Sequence, residues 1–403
     1  MNADPEMTSP NQQSNSAPDL CILHIITRLI LGGAQKDTIM LAAAQVRAGH
    51  EVHLAYGPIY GPEGSLLDDA KAGGMTLHEV RWMRRAVLPM HDALCTRSLR
   101  RLIRDVRPDI VHTHSSKAGI LGRAAGWREG VSGVIHTVHG LPFHDRQPRW
   151  VHRAYVLAER WAARRCHHMI AITPAMVEAF EQNSIATADR FTVIPSGVDL
   201  SAFAPSADDP LAVRQELGIP DDAPVLSLLA RLDPLKGHDD LLDILPELRQ
   251  RLPEVRVLFI GDGWHRPHLE QRVRNEGLDD RVIFTGLVPP QHVAHFLAAA
   301  DVNALPSYQE GQGLTLAEAL LCGCGIVGYD VGGIGSVCID GRSGRLVPVG
   351  DRSKLAEAIA WMLENPDQRQ RLVEQGQNLV RDELDPERLA RRTEQVYRRV
   401  LEK

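Results

Sequence analysis

The amino-acid sequence predicts an α/β protein of two Rossmann-like, doubly wound domains that face each other across a cleft. Short apolar runs alternate with helical patterns of about ten residues or more, which is typical of a parallel sheet with helices on both faces. This alternation occurs twice, because a segment rich in Pro, Asp and Ser interrupts it at residues 196–210. The length of 403 residues also exceeds what one hydrophobic core usually supports.

The apolar runs predict the strands. Before the interruption they are CILHIIT, EVHLAY, DIVHTH, GVIHTVH, MIAIT and FTVIP, separated by helical patterns such as GAQKDTIMLAAAQVRAG and TPAMVEAFEQN. After it they are VLSLLA, VRVLFIG, VIFTG, VNALP, GIVGY and GRLVPV. Ligands of doubly wound sheets bind at the carboxyl ends of the strands, so we expect the functional residues just after strands.

These elements give the domain bounds. We predict an N-terminal domain at residues 19–200 and a C-terminal domain at residues 201–381, after a flexible polar tail at residues 1–18. The last segment, residues 382–403, has an amphipathic pattern and a helix start at Asp385–Pro386. We expect this helix to pack back on the N-terminal domain.

Composition restricts the class of protein. With 44% hydrophobic and 24% charged residues, the chain has the composition of an ordinary globular protein. The tail has neither the basic start nor the apolar stretch of a signal peptide, and no apolar run approaches the ~20 residues of a membrane span. The 6 Cys residues lack CxxC spacing, which favours reduced thiols and a cytoplasmic location.

Positive charge is concentrated in the N-terminal half. The net charge is −6, yet residues 81–170 are basic, chiefly in RWMRRAVLPMHDALCTRSLRRLIRDVR and RQPRWVHRAYVLAERWAARR. Both patterns are compatible with helices whose apolar positions face a core and whose Arg-rich faces meet solvent. An alternative is a surface for anionic lipid head groups or a diphosphate-linked acceptor, because Trp82, Trp150 and Trp161 lie among the arginines. We expect no nucleic-acid partner.

The first chemical motif is LLARLDPLKGHDDLL. Its predicted strand ends at Arg231, and Lys236 and Gly237 follow at a helix start. Two cations at one crevice can neutralise a nucleotide diphosphate as it leaves, and the fork of an arginine suits phosphate oxygens. Taken alone, the segment is equally compatible with surface charges at a helix start.

The second motif, EGQGLTLAE, follows the predicted strand VNALP. Glu310 lies in a loop with Gly311 and Gly313, and the helix that follows carries Glu318 about two turns along. Glycines admit close approach of a ligand, and the free amides of a helix N-terminus attract phosphate. Glu310 can accept from a sugar hydroxyl, and Glu318 from both hydroxyls of a ribose. The spacing of the two carboxylates alone would favour a solvated helix face.

With these motifs in order, the chain resembles the glycosyltransferases of family four, which have the GT-B fold. The resemblance runs from about residue 20 to residue 400 and rests on GGAQ, HSSKAGILGRAAG, TVHGLPFH, VIPSGVD, ARLDPLKG, EGQGLTLAEALLCG and VGGIGSVCIDGRSGRLVPVGD. It implies a retaining enzyme that makes an α-linked product from a UDP- or GDP-sugar, with an acceptor-side N-terminal domain and a donor-side C-terminal domain. It implies no catalytic metal and no cofactor beyond this co-substrate.

The resemblance also implies roles in donor binding. Arg231 and Lys236 would bind the diphosphate, and Glu318 the ribose. Glu310 would bind the transferred sugar. The backbone amides that help it would be those of Gly311, Gln312, Gly313 and Leu314.

Three N-terminal residues take their roles from the resemblance as well. Gly32 and Gly33, after the first strand, would let the backbone approach donor phosphate and acceptor closely. His139, at the end of the strand GVIHTVH, would point at the reacting sugar and there bond a hydroxyl or share charge. The alternative for His139 is a core histidine with satisfied hydrogen bonds.

The chain departs from the family pattern at three places. Gly335–Ser336 stand where Pro-Glu is common, and Gln312 replaces the usual aromatic residue between two glycines. Both changes concern the donor sugar, and we expect its specificity to depend first on Gln312. Gln35 stands where Glu is common and concerns the acceptor side.

A metal site is the less favoured alternative. His112, His114, His136 and His139 lie at neighbouring strand ends, and such a group could bind a metal. No Asp-x-Asp pair follows a strand to hold a divalent ion with the diphosphate, so Arg and Lys are the better electrophilic partners.

The predicted mechanism needs no enzymic nucleophile. We expect the acceptor hydroxyl to attack on the face that the nucleotide leaves. A phosphate oxygen then takes its proton, which would explain why the sequence offers no pair of carboxylates of the glycosidase kind. The expected acceptor is a glycan or lipid-linked one in polysaccharide assembly, with peripheral attachment to the inner membrane face. Two rivals stay open, a nucleotide-sugar 2-epimerase of the same architecture and a catalytically silent sugar-binding subunit.

Overall fold

The computed structural model describes residues 20–60, 64–143, 147–203 and 210–403. The polar tail predicted at residues 1–18 lies outside these ranges. The described residues form two parallel β-sheets, one of seven strands and one of six, with helices between successive strands. The predicted class, two Rossmann-like α/β domains, is therefore confirmed. The exact bounds predicted for the domains stay a prediction.

The seven-stranded sheet belongs to the N-terminal part. Its strands are β1 (Cys21–Arg28), β2 (Glu51–Gly57), β3 (Thr76–Glu79), β4 (Ile110–His114), β5 (Gly133–Val138), β6 (His168–Ala171) and β7 (Phe191–Val193). All neighbours are parallel, in the order β3-β2-β1-β4-β5-β6-β7. Its helices are α1 (Gly33–Arg47), α2 (Leu67–Ala72), α3 (Pro89–Val106), α4 (Ser116–Arg128), α5 (Arg149–Ala163) and α6 (Pro174–Gln182). The sequence missed β3, a four-residue edge strand with no buried residue.

The six-stranded sheet belongs to the C-terminal part. Its strands are β8 (Val225–Leu229), β9 (Arg256–Ile260), β10 (Val282–Gly286), β11 (Val302–Leu305), β12 (Gly325–Tyr329) and β13 (Arg345–Val347), in the order β10-β9-β8-β11-β12-β13. All six predicted strands are confirmed. The helices that follow are α7 (Pro210–Glu216), α8 (His238–Arg251), α9 (Arg266–Asn275), α10 (Val293–Ala298), α11 (Leu314–Leu321), α12 (Arg352–Glu364), α13 (Pro366–Glu383) and α14 (Pro386–Leu401).

The chain crosses between the two sheets twice, and the crossings lie side by side. The first follows β7 through Ser196 to Val198, and the second passes Leu384 between α13 and α14. The backbone N–H of Val198 donates to the carbonyl oxygen of Leu384 at 3.0 Å. The two domains are therefore joined by one narrow pair of segments next to the cleft.

Helix α14 packs on the N-terminal sheet. The Asp385 side chain caps its start by accepting from a backbone N–H at 3.0 Å, and Pro386 takes the first position, where no N–H is needed. This is the helix start that the sequence predicts. Leu389, Val396 and Tyr397 are buried against the apolar residues of the sheet.

Both basic segments carry helices with buried apolar positions, such as Leu99 on α3 and Val156 on α5, as expected. Helix α3 begins at Pro89, so the first part of the basic run at residues 81–107 precedes it. Proline fits the first turn of a helix but disfavours helical backbone in the residue before it.

Two further expectations can be compared with the structure. All six cysteines are free thiols, and four of them are buried. Among the described residues, none of the helices combines the length and the apolar character that crossing a membrane requires.

Candidate active site

The cleft lies between the carboxyl ends of the two sheets. Gly32 and Gly33 follow β1, and a side-chain carbon on Gly33 would lie 3.8 Å from Cδ1 of Leu314 in the other domain. A side-chain carbon on Gly311 would lie 3.0 Å from the carbonyl oxygen of His139, after β5. Glycine at position 311 therefore lets the loop after β11 reach the N-terminal domain closely. The structure brings residues predicted on both domains together.

Lys236 and Glu310 form an ion pair on the C-terminal side. Lys236 ends a short 3₁₀ turn after β8, and the Asp233 side chain caps that turn at 3.0 Å. Gly237 follows with a φ of 78°. A Cβ at this position would lie only 2.1 Å from the carbonyl oxygen of Pro306, so only glycine fits. This geometry directs Lys236 to Glu310, and its Nζ lies 2.6 Å from Glu310 Oε2.

Two further donors hold the Glu310 carboxylate. Its Oε1 accepts from the N–H of Gly311 at 3.2 Å, and its Oε2 from the hydroxyl of Ser307 at 3.4 Å. The side chains of Lys236 and Glu310 are 22% and 19% exposed, so a ligand in the cleft can reach both. Arg231 is more open, with Asp233 as its ion partner at 3.2 Å.

Glu318 faces the N-terminal domain across the cleft. It lies just over one turn into α11, rather than the two turns that the sequence suggested. Its Oε1 is 3.5 Å from Nζ of Lys36, which belongs to the first turn of α1. Burial raises the pKa of Glu318, and the nearby Lys36 ammonium acts in the opposite direction. This ion pair joins the two domains.

The N-terminus of α11 opens between these two carboxylates. Gly313 has a φ of 76° and directs the chain into the helix at Leu314. The first N–H groups of a helix have no partner within it, so they are free to meet an anion. Gly332 and Gly333 support the loop from behind, because side-chain carbons there would clash with the carbonyls of residues 310 and 311. The unusual Ser336 donates locally to the carbonyl of Gly333 at 2.6 Å.

The expectation for Gln312 is wrong as regards its side chain. That side chain is 2% exposed and points to the first crossing between the domains. Its Oε1 accepts from the N–H of Ser196 at 2.8 Å, and its Nε2 donates to the carbonyl of Ser196 at 3.2 Å. Both polar atoms are therefore occupied by backbone, and Gln312 fixes the loop to the crossing rather than facing a sugar.

His139 is buried at the end of β5. Its Nε2 is 3.0 Å from Nδ1 of His114, and its Nδ1 is 3.6 Å from Oδ2 of Asp37. Asp37 also accepts from the N–H of Gly197 at 2.8 Å. Burial lowers the pKa of His139 to about 4 and raises that of Asp37 to about 7, so the neutral form of each is favoured.

The histidines form a hydrogen-bonded group that differs from the one considered above. His24, which the sequence analysis did not include, bonds His114 at 2.9 Å, whereas His136 bonds Thr113. The ligand atoms of His24, His112 and His114 lie within 4.8 Å of one another, so the group could in principle hold a metal ion. Each of these rings already has both nitrogens hydrogen-bonded to protein groups.

Sequence reasoning missed two residues that the structure places in the cleft. Lys36 and Asp37 directly follow the GGAQ segment, in the first turn of α1. The signal was the one used for Lys236, a charged residue at a helix start that follows a strand. This signal identifies Lys36 and Asp37 as candidates, but it does not show that Lys36 pairs with Glu318 or that Asp37 lies next to His139.

Solved structures share this architecture. The chain superposes on HepE of Anabaena in complex with UDP-glucose with a TM-score of 0.79, at 22% identity, over 94% of this chain and 99% of that one. It superposes on the sucrose-phosphate synthase of Thermosynechococcus elongatus with a TM-score of 0.79, at 22% identity, over 94% and 98% of the two chains. These likenesses define the class of fold as GT-B.

Family models and sequence relatives then give the family. The model "Glycosyltransferase Family 4" matches residues 31–202, and "Glycosyl transferases group 1" matches residues 211–379. A D-inositol 3-phosphate glycosyltransferase of Nocardioides sp. is 33% identical over 72% of this chain and 67% of its own length. One named D-inositol 3-phosphate glycosyltransferase 2, of Catenulispora acidiphila, is 35% identical over 68% of this chain. The chain spans 66% of the length of that relative. The protein belongs to glycosyltransferase family four.

Proposed function

We propose that this protein transfers a sugar from a nucleoside diphosphate donor to a hydroxyl of an acceptor, with retention of configuration. The observation that supports this most is the setting of α11. Its N-terminus lies between Glu310 and Glu318, and each carboxylate is paired with a lysine. Amides and ammonium groups suit a diphosphate, and the carboxylates suit hydroxyls of the two sugars on either side of it.

Donor binding exchanges one ion pair for another. The Lys236 ammonium moves from Glu310 to the diphosphate, and Glu310 then accepts from hydroxyls of the transferred sugar. Arg231 adds its exposed guanidinium to the same phosphates. Glu318 accepts from the ribose hydroxyls, and the Lys36 ammonium opposes the rise in its pKa that burial causes.

The reaction is proposed to be metal-independent. As the bond from the anomeric carbon to the diphosphate oxygen breaks, negative charge develops on the diphosphate. Lys236, Arg231 and the amides of α11 offset that charge, which is the role that a divalent ion has in other enzymes. The acceptor oxygen forms its bond on the face that the diphosphate leaves, and its proton passes to a phosphate oxygen.

The relatives suggest one acceptor for trial. Their names include D-inositol 3-phosphate, while a glycan or a lipid-linked acceptor in polysaccharide assembly is our first proposal. A screen of UDP- and GDP-sugars by thermal shift comes first, because a ligand of the folded state raises its apparent stability. Each donor that binds is then assayed with all three acceptor types, with and without EDTA.

The outcomes separate this proposal from its rivals. Transfer that survives EDTA is the expected result. Conversion of the donor without any acceptor would identify a nucleotide-sugar 2-epimerase. Binding of a donor with no transfer to any acceptor would favour a silent sugar-binding subunit, and loss of transfer in EDTA that a divalent ion restores would contradict metal independence.

We also propose that the N-terminal domain attaches to an anionic membrane surface on the cytoplasmic side. Trp150, Leu157 and Trp161 on α5 are exposed, and the Arg165 guanidinium lies 3.8 Å from the centre of the Trp161 ring. Apolar and aromatic side chains beside arginines suit a lipid interface. Sedimentation with vesicles tests this. We expect binding to anionic vesicles at low salt that Trp150→Ser weakens, and no binding at low salt would refute it.

A further inference from the structure

A continuous buried chain of hydrogen bonds runs from the candidate active site to the C-terminal helix. Its members come from β1, α1, β4, the end of β5 and α14. In order they are His139, His114, His24, Gln45 and Tyr397. The successive distances are 3.0, 2.9, 2.7 and 3.2 Å. No part of the proposed sugar transfer uses the last four residues directly.

Gln45 gives the chain a direction. In this orientation its Nε2 donates to the Tyr397 hydroxyl, and its Oε1 accepts from Nε2 of His24. A neutral imidazole has a single N–H, so Nδ1 of His24 accepts from Nε2 of His114. By the same rule, Nδ1 of His114 accepts from Nε2 of His139.

This direction of the chain requires neutral rings, and their burial provides them. His24 and His114 are fully buried, and the His139 side chain is 5% exposed. Burial lowers the pKa of His24 and of His139 to about 4, and that of His114 well below its ordinary value. Each ring therefore has one proton to donate and one lone pair to accept with.

The last ring of the chain is left with an unprotonated Nδ1. Among protein groups of the described residues, this atom has no hydrogen-bond partner, and Asp37 Oδ2 is 3.6 Å away. If every hydrogen bond of the chain ran the other way, Nδ1 of His139 would carry the N–H, and Asp37 would be too far away to accept from it. A buried N–H without an acceptor is rare in folded proteins, so the forward direction is favoured.

We propose that this chain is a positioning device that holds His139 as the Nε2–H tautomer, so that the buried Nδ1, which faces Asp37, can only accept a hydrogen bond. His114, His24 and Gln45 are then positioning residues that act through His139. The inference rests on the proposed function only for its effect on turnover. The tautomer itself does not depend on that function.

The sharpest perturbation reverses the chain without breaking it. In Gln45→Glu, a buried carboxylate next to His24 keeps a second proton on that ring, so both nitrogens of His24 donate. His114 must then accept at Nε2 and donate from Nδ1, and His139 becomes the Nδ1–H tautomer. Gln45→Met removes the directing group with little change in volume.

The matched control lies at the other side of the same sheet. His53 and His78 are also stacked and hydrogen-bonded, at 2.9 Å, but His53 pairs with Glu51 rather than with this chain. His78→Gln therefore removes a histidine pair of the same kind away from His139. We expect this variant to leave both the tautomer of His139 and the turnover unchanged.

The primary measurement is ¹⁵N NMR of histidine-labelled protein, with the ring of His139 assigned through His139→Gln. We expect the Nε2–H tautomer in the wild-type protein and the Nδ1–H tautomer in Gln45→Glu. We also expect kcat to fall at least about tenfold in Gln45→Glu, and less in Gln45→Met. An Nδ1–H tautomer in the wild-type protein overturns the inference, even if Gln45→Glu does not fold.

The experiment also separates this inference from the proposed function. If the tautomers are as expected but no donor is ever used, the proposed function fails and the positioning device stands. If sugar transfer occurs while Gln45→Glu and Gln45→Met have equal turnover and the same tautomer, the positioning device is refuted and the proposed function stands.

Discussion

Lys236→Met is the substitution with the most specific expected effect, because it removes an ammonium group and keeps the length of the side chain. In the structure this group lies 2.6 Å from Glu310, in a pair that is about four-fifths buried. Loss of one electrostatic partner of a developing charge costs about 10²–10³ in kcat, or about 3–4 kcal/mol. The cost in stability is smaller, about 1 kcal/mol, since Ser307 and Gly311 still donate to the carboxylate.

The assay compares turnover with stability. We expect kcat to fall by the full factor while the midpoint of urea unfolding changes little. Lys354→Met is the matched control, because Lys354 also lies at a helix start and pairs with an aspartate, Asp351, at 3.4 Å, but far more exposed. It should change neither quantity. A kcat for Lys236→Met within tenfold of the wild-type value would refute the role given to this lysine.

Three further predictions follow from single contacts. Burial raises the pKa of Asp37 from 3.8 to about 7, so the native state loses stability relative to the unfolded state as pH rises through that window. In urea titrations, Asp37→Asn should therefore gain stability relative to wild type between pH 4 and pH 7, and a constant difference would contradict this. Glu318→Gln should weaken binding of free UDP or GDP about tenfold, whereas Glu310→Gln should not weaken it, because it frees Lys236 for the diphosphate, and should weaken only the contacts to the sugar of the donor. Gln312→Leu removes two hydrogen bonds to Ser196 and should destabilise the protein by about 2 kcal/mol without changing the preferred donor sugar; a changed preference would restore the earlier interpretation.

The regular elements were predictable because their signal is local. Strands β8 and β12 of the C-terminal sheet are short apolar runs in which every residue is buried. Strand β3 has no such run and was missed. None of its four residues is buried, and it pairs only with β2 at the edge of the sheet. The basic residues before Pro89 lie outside α3, because proline fits the first turn of a helix but not its interior.

The chemistry of the cleft was predictable residue by residue, but its pairings were not. The motifs identified Glu310, Glu318 and Lys236 as candidates, yet Lys36 and Glu318 are 282 positions apart and meet only when both domains are folded. Gln312 is the clearest case. Its unusual identity was noticed, but its partner is a backbone 116 positions earlier, which no local pattern could indicate.

The histidines show the same limit. Three members of the hydrogen-bonded group were recognised from the sequence as histidines at strand ends, namely His112, His114 and His139. Their function as a directed chain depends on Gln45 and Tyr397, which lie on two different helices. Residue types at strand ends therefore offered a metal site only as the less favoured alternative, and the hydrogen-bond partners of each nitrogen define a directed chain instead.

The configuration of the product tests the central proposal most directly. Wild-type protein is incubated with the nucleotide-sugar that stabilises it and with an acceptor, and the new linkage is examined by ¹H NMR at the anomeric proton. We predict one nucleoside diphosphate released for each sugar transferred, and an α-linked product from an α-linked donor. An inverted, β-linked product, or no product from any UDP- or GDP-sugar that binds, would contradict the account.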